Sequence, residues 1–464
     1  MMPLLTCCLY LLLILLVGCF VILIILPSTR LTIVQLTGLG PAVGAGTMGL
    51  LLFWVSLIGF APSRTVLAII GFLTLTGLLV LKLKNRLARI KMLAGDWEKA
   101  DWWVVAPLTV TVLVLVVIAA GAISSPLMEW DAWAIWGFKA KVLAHDGLRP
   151  TPAYFQDLSL SYSHLDYPLM MPFLTAGAYA AMGTIDDQTG KLVSVFLDFL
   201  MVPMVYLGLR WKLRRLPAAC LSAMLPLLPV MFRFAGVGCA DLPLAMFYAG
   251  SIFYVARWIE QHQLTDLILA IMFSAFAAFT KNEGAVLALL NGAVMLGFGQ
   301  KGNRRRSWAG AAAFFAGLVA INAPWFIWSL GLPRTHEDYG SKFFSSTLVT
   351  HLPALKQIIP VMFAQIMVFN AWGLLWIMAG MMALLGWRAF GRSSVVAVWI
   401  LLGLHLLVYA VVYCVTPWDL TVLLKATLVR LLLHTLPAVI FLTGWHWAEV
   451  GAGRSNAVLR VLSA

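Results

Sequence analysis

Lys82-Leu83-Lys84-Asn85-Arg86-Leu87-Ala88-Arg89-Ile90-Lys91 carries five basic residues in ten positions, flanked by apolar runs at 66–81 and 104–124. Basic clusters beside membrane helices stay in the cytoplasm, so this segment orients the whole chain. Outward from it, apolar runs recur at 9–27, 43–61, 66–81, 104–124, 191–209, 216–234, 242–257, 265–280, 285–299, 308–330, 359–385, 395–414 and 425–448. Most approach the roughly 20 residues that a helix needs to cross a bilayer. The pattern lacks the short alternating strands of a β-barrel. The expected fold is all-α, a polytopic membrane protein with about thirteen transmembrane helices.

Composition agrees. The 464 residues are 62% hydrophobic and 11% charged, with mean hydropathy +0.93, where a soluble domain carries about 25% charge. A soluble enzyme, a disordered scaffold and a nucleic-acid-binding domain are excluded. The net charge of +13, from 32 Lys and Arg against 19 Asp and Glu, is first a topology signal. The cysteines Cys7, Cys8, Cys19, Cys220, Cys239 and Cys414 show no Cys-x-x-Cys spacing and support neither a zinc site nor a disulfide framework. Leu16-Val17-Gly18-Cys19 resembles a lipoprotein cleavage box. It lacks a basic n-region, and its apolar run continues to Pro27, so an uncleaved first helix is expected.

One stretch decides the count. Tyr167–Met182 is apolar but only about 16 residues long, with Pro168 and Pro172 near its start. As an interfacial helix rather than a span, it leaves Arg210–Arg215, Lys301–Arg306, Arg388, Arg392 and Arg454 all on the cytoplasmic side. The N-terminus is then outside and the C-terminus inside. Residues 1–103 form a three-helix extension with the basic loop, and 104–464 the main domain, with outer loops at 125–190 and 332–358, the second a candidate lid. Twelve of the 19 acids then fall at or beyond the outer helix ends: Glu129, Asp131, Asp146, Asp157, Asp166, Asp186, Asp187, Asp241, Glu283, Glu337, Asp338 and Asp419. Acids contribute little to orientation, so chemistry at that face and plain solvated loops are the two readings.

The densest motif is Glu129-Trp130-Asp131-Ala132-Trp133-Ala134-Ile135-Trp136, with Lys139 shortly after. Tryptophans every three residues make one helix face at the headgroups, an aromatic belt in its plain reading. Carboxylates wedged among them are costly unless they bind a cation or move a proton. His164, Asp166 and Tyr167 follow in a loop, where His164 either caps the next helix or touches substrate. Arg233 ends one run, Asp241 begins the next, and Lys281-Asn282-Glu283-Gly284 makes a polar turn between two others. Asp419 leads to Lys425, Arg430 and His434, the last two one turn apart on one helix face. Cations just below an interface either bind a lipid phosphate or snorkel to headgroups.

This order of features resembles the GT-C-fold glycosyltransferases. It has an acid after a span, an interfacial helix, Tyr167-Pro168 opening a second one, an outer Asp, a Thr280-Lys281 turn and a late Arg. The nearest branch holds the protein O-mannosyltransferases (glycosyltransferase family 39) and the lipid A aminoarabinose transferases, and the likeness spans roughly 104–448. It implies that Asp131, with Glu129 as neighbour, activates the acceptor or organises a divalent cation. It matches Asp241 to the second-loop acid, Lys281 to the lysine of the turn, and Arg430 to the arginine on the donor phosphate. Tyr167-Pro168, with His164 and Asp166, stands where relatives often carry Glu-Lys-Pro-Pro, so a need for magnesium or manganese stays open.

The resemblance implies a polyprenyl-phosphate-linked sugar donor, a glycan, lipid or protein acceptor, surrounding membrane lipids and no nucleic acid. It implies an inverting transfer at the periplasmic or exterior face of the cytoplasmic (inner) membrane. The chemistry needs a base, Asp131, and cations for the departing phosphate, with Arg233, Lys281, Lys425 and Arg430 available. Trp130, Lys139, His164, Asp166, Tyr167, Asp241, Asn282, Glu283, Asp419 and His434 are expected to bind substrate or shape the site. The alternative is a transporter or flippase of a lipid-linked substrate. Such proteins commonly carry internal repeats and mid-membrane ionisable residues, and here only Asp198 is plainly mid-span.

Overall fold

The computed structural model describes residues 2–26, 31–60, 63–84, 86, 99–147, 150–298, 304–333, 342 and 346–462. Arg89 and Lys91, Lys301, and residues 334–341 and 343–345 of the 332–358 loop, with Glu337 and Asp338, lie outside the described residues, as do the side chains of Arg304 and Arg454. Everything described is helix or connecting turn, an all-α polytopic membrane protein. Eight of the described helices are long and apolar enough to cross a membrane, or nine if the pair Leu420–Leu433 and Leu436–Gly451, bent by 46°, is one span. Four shorter apolar helices, Arg215–Leu227, Leu264–Thr280, Asn282–Gly297 and Leu375–Leu385, accompany them.

Several expected runs are broken where the backbone demands it. The run at 216–234 divides at Pro226 and Pro229, since proline lacks the N–H that would continue the ladder. The run at 359–385 becomes Leu355–Ile366 and Leu375–Leu385, separated by Gly373 at φ +55. The stretch at 167–182 forms the helix Met170–Met182, whose 13 residues rise about 20 Å, too little to cross a bilayer unaided. It is enclosed by protein rather than laid on lipid. Phe173 meets Phe53, and Gly177 lies against Tyr10 and Leu52. Arg64 donates to the carbonyls of Ala181 and Met182 at its end.

The helices Met2–Ile25 (α1) and Ile33–Leu57 (α2) cross almost backbone to backbone. A Cβ on Gly18 would run into the Gly40 carbonyl, and one on Gly44 into that of Ile14. In lipid there is no hydrophobic drive between helices, so such small-residue seams supply the packing. All six cysteines are free, and α1 runs unbroken through Cys19.

Ion pairs collect at two separate ends of the bundle. One end holds Arg215–Asp101 (2.6 Å), Lys212–Glu260 (2.7 Å), Arg257–Asp266 (3.0 Å) and Arg392–Glu449 (2.6 Å). The other gathers Asp131, Asp241, Lys281, Glu283 and Arg430. Lys212, Arg215 and Arg392, all expected on one face, thus lie at one end, and three of the twelve acids expected on the other, Asp131, Asp241 and Glu283, lie at the other.

The α1–α2 seam generates a stability prediction. Gly44→Val forces backbone apart and should cost about 3 kcal/mol, the upper end for overpacking. Gly71→Ala has only Leu13 Cδ1 nearby, at 3.6 Å, and should be neutral or slightly stabilising. Thermal unfolding midpoints of the two purified variants would check this, and equal midpoints would refute the seam.

Candidate functional site

The first site residue is delivered by an unusual turn. After the helix Val105–Ser124, Lys191 Nζ holds the carbonyls of Ser125 and Pro126 at 2.5 and 3.0 Å. The chain then winds as a π-helix over Asp131–Gly137. Wider turns of this kind are rare and cluster at functional sites. Gly137 fits because a Cβ there would sit 2.6 Å from the Ala132 carbonyl, five residues back. This winding corrects the expected single tryptophan face. Trp130 and Trp133 are exposed and meet edge to face at 4.7 Å, while Trp136 turns inward against the Tyr167 ring at 5.9 Å.

Asp241 is the centre. It opens the helix Asp241–Gln261 after a loop whose Gly236 and Gly238 take φ +72 and +96, values that favour glycine. Its carboxylate is 1% exposed. Lys281 Nζ lies 2.9 Å from Oδ1, and Arg430 donates to Oδ2 from Nε at 3.1 Å and Nη2 at 2.9 Å. The same Nη2 reaches Asp131 Oδ2 at 2.5 Å. Lys281 also meets Glu283 at 3.0 Å, and His434 Nε2 stands 3.5 Å from Asp241 Oδ1. Behind it, His434 Nδ1 lies 2.6 Å from Tyr409 Oη. Residues from widely separated parts of the chain thus share one network, and a buried carboxylate survives because two cations bond it directly.

The network is already charge-compensated. Lys281 and Arg430 oppose Asp131, Asp241 and Glu283, a net of −1 with His434 neutral. Among the described residues nothing claims Arg430 Nη1 or Asp131 Oδ1, so one donor and one acceptor remain for a ligand. No group of three or more His, Cys, Asp or Glu among the described residues is spaced to hold a metal ion.

Besides the exposed Trp130, five expected site residues are not brought in. Glu129 is exposed, and Arg233 is exposed beside its neighbour's ring, Phe234, at 5.2 Å. Asn282 is exposed at the start of its helix. Lys425 precedes Arg430 by five residues, about 140° around the helix, and so points elsewhere. Asp419 caps that helix, accepting from the Val422 N–H at 2.9 Å. Tyr409 was not foreseen. The available signal was His405 and Tyr409, one turn apart in an otherwise apolar run.

Lys139, His164 and Tyr167 form a second arrangement that shapes the loop. The Lys139 ammonium is fully buried and donates to the carbonyls of Ser163 and His164, both at 2.6 Å. His164 takes a left-handed φ of 52 and stacks on Tyr167 at 4.4 Å. Burial pulls the Lys139 amine down to about 7, against the opposing charge of nearby Asp166. Mid-span Asp198 has a local partner, accepting from the Gly236 N–H at 2.8 Å, and so ties down the loop before Asp241.

Residues 166–328 match the family model for dolichyl-phosphate-mannose-protein mannosyltransferase, about a third of the chain. The chain is similar to the GT-C glycosyltransferases of family 39. No curated protein and no solved structure matches it. The family-39-like stretch includes Asp166, Tyr167, Asp241, Lys281 and Glu283, while Asp131 and Arg430 lie outside it. The match supports a membrane glycosyltransferase using a polyprenyl-phosphate sugar.

Two predictions follow from this geometry. Asp241→Asn leaves Lys281 with Glu283 alone and Arg430 with Asp131 alone and should cost about 3 kcal/mol, whereas Asp241→Leu with Lys281→Met, which removes both ends of one buried pair, should recover part of that stability. Thermal unfolding of both variants measures it, and equal losses would refute the pairing. For Lys139, the lowered value means that the folded state sheds its proton first, so stability rises with pH from about 7 towards the amine's ordinary 10.5. Unfolding midpoints across that range should favour the wild type over Lys139→Met increasingly as pH rises.

Proposed function

We propose that the chain transfers a sugar, with inversion, from a polyprenyl-phosphate-linked donor to an acceptor hydroxyl. The reaction takes place at the extracytoplasmic face of the cytoplasmic membrane. The observation that carries this reading is the single Arg430 guanidinium bridging Asp131 and Asp241. Transfer requires a base at the acceptor and positive charge at the departing phosphate, side by side.

Asp131 is the base. Its side chain is 24% exposed and therefore reachable, and Arg430 fixes one of its oxygens while the other faces the acceptor. Arg430 holds the phosphate side, with Lys281 adding positive charge behind it and Asp241 setting the positions of both. When Asp131 takes the acceptor proton it loses its charge, and Arg430 is then less compensated as the phosphate gains charge. The acceptor oxygen bonds to the anomeric carbon, the bond to the phosphate oxygen breaks, and the phosphate leaves with that electron pair. Lys139 and the 163–167 loop wall the acceptor side. The positive-inside arrangement of the basic end supports placing the site at the outer face. The transporter reading has less behind it, since Asp198 is bonded to the backbone of the adjoining loop.

Asp131→Asn should lower transfer from a polyprenyl-phosphate donor by about 100–10,000-fold, the usual worth of a general base, with the protein still folded and inserted. Full turnover in that variant would sink the assignment. Arg430→Ala should weaken donor binding, and unchanged affinity would mean that the guanidinium serves only its two carboxylates.

A further inference from the structure

His434 is fully buried at the bend between Leu420–Leu433 and Leu436–Gly451. The groups around it come from every side. Asp241 opens one helix, Lys281 and Glu283 occupy the turn beside it, Arg430 precedes it by one turn, and Tyr409 and His405 face it from Ser393–Cys414. Asp241, held between two cations, is ionised and can only accept. The His434 proton therefore sits on Nε2, facing Asp241 Oδ1, and Nδ1 accepts from the Tyr409 hydroxyl at 2.6 Å.

In this neutral form His434 leaves the network at a net of −1, and a phosphodiester arriving at Arg430 brings it to −2 in a buried setting. Uncompensated charge there is costly. The surroundings of His434 already fit its cation. A second proton on Nδ1 would point at Tyr409 Oη, which has only to turn its hydrogen away and accept. His405 lies edge-on to Tyr409 at 4.5 Å, and neither of its ring nitrogens has a hydrogen-bond partner, so an acceptor for that hydrogen stands close by.

We propose that His434 is the proton-loading residue of the site, taking one proton from solvent when an anionic phosphodiester engages Arg430 and returning it when the phosphate departs. The imidazole becomes imidazolium, its Nε2–H faces the Asp241 carboxylate at 3.5 Å, and Tyr409 switches from donor to acceptor. This rests on the donor reading above and adds to it a residue with no direct part in the transfer.

The test is calorimetric titration of the full-length protein in detergent micelles at pH 8 with farnesyl methyl phosphodiester, whose single charge does not titrate. Running it in buffers of different ionisation enthalpy gives the number of protons taken up. About one proton per site is expected for the wild type, none for His434→Gln, and a reduced number for Tyr409→Phe, which removes the second acceptor. Wild-type binding without uptake overturns the proposal and leaves the donor reading standing. Uptake in His434→Gln equal to that of the wild type also overturns it, moving the proton to Asp131 or Glu283. No binding by the wild type overturns the donor reading and this proposal with it.

Discussion

A carboxylate with 1% exposure inside an apolar bundle is the constraint on which the rest of this structure depends. Asp241 is tolerable there only with cations in direct contact, and those cations come from 40 and 189 residues further along the chain. Satisfying it fixes the start of Asp241–Gln261, the turn carrying Lys281 and the last turn of Leu420–Leu433 relative to one another. Arg430 then reaches back to Asp131 and fixes the π-helical turn as well. At the other end of the bundle, one pair works under looser terms. There Arg392 is 45% exposed and its pair with Glu449 adds little, as partly solvated ion pairs generally do.

The helices were legible because lipid permits so few alternatives. Backbone polar groups must be satisfied within a segment, so an apolar run is a helix almost by necessity. The irregular places were less so, each for a local reason. The π-winding at Asp131–Gly137 leaves a tryptophan spacing that reads equally well as one α-helical face, and the structure splits it. Pro226, Pro229 and Gly373 show that breaks are available, but hydropathy alone reads straight through them.

The site was legible where helical spacing carried information. Arg430 and His434, four apart, do share a face and both meet Asp241. It was misread where charge sign was the only criterion. Lys425 and Arg233 are basic and near the right end, yet one points around the helix and the other lies exposed. Tyr409 carries no charge and so escaped notice, although a hydroxyl one turn from a histidine in lipid-crossing sequence is a polar pair needing a partner.

Residues 166–328, which resemble the mannosyltransferase family, contain Asp241 and Lys281 but neither Asp131 nor Arg430. In the proposed reaction the matched stretch therefore supplies the anchor, and the flanking stretches supply the groups that face the reactants. That division follows from burial. Asp241 and Lys281 have side-chain exposures of 1% and 7%, against 18% and 24% for Arg430 and Asp131. A group sealed inside can set the position and charge of another but cannot touch a sugar. Arg430, bonded to the sealed carboxylate through Nε and Nη2 and to the reachable one through Nη2, is the only one of these four that touches both carboxylates. Any change of charge at Asp131 is felt through it at Asp241, so the proposed base and phosphate site form one electrostatic unit rather than two neighbouring ones.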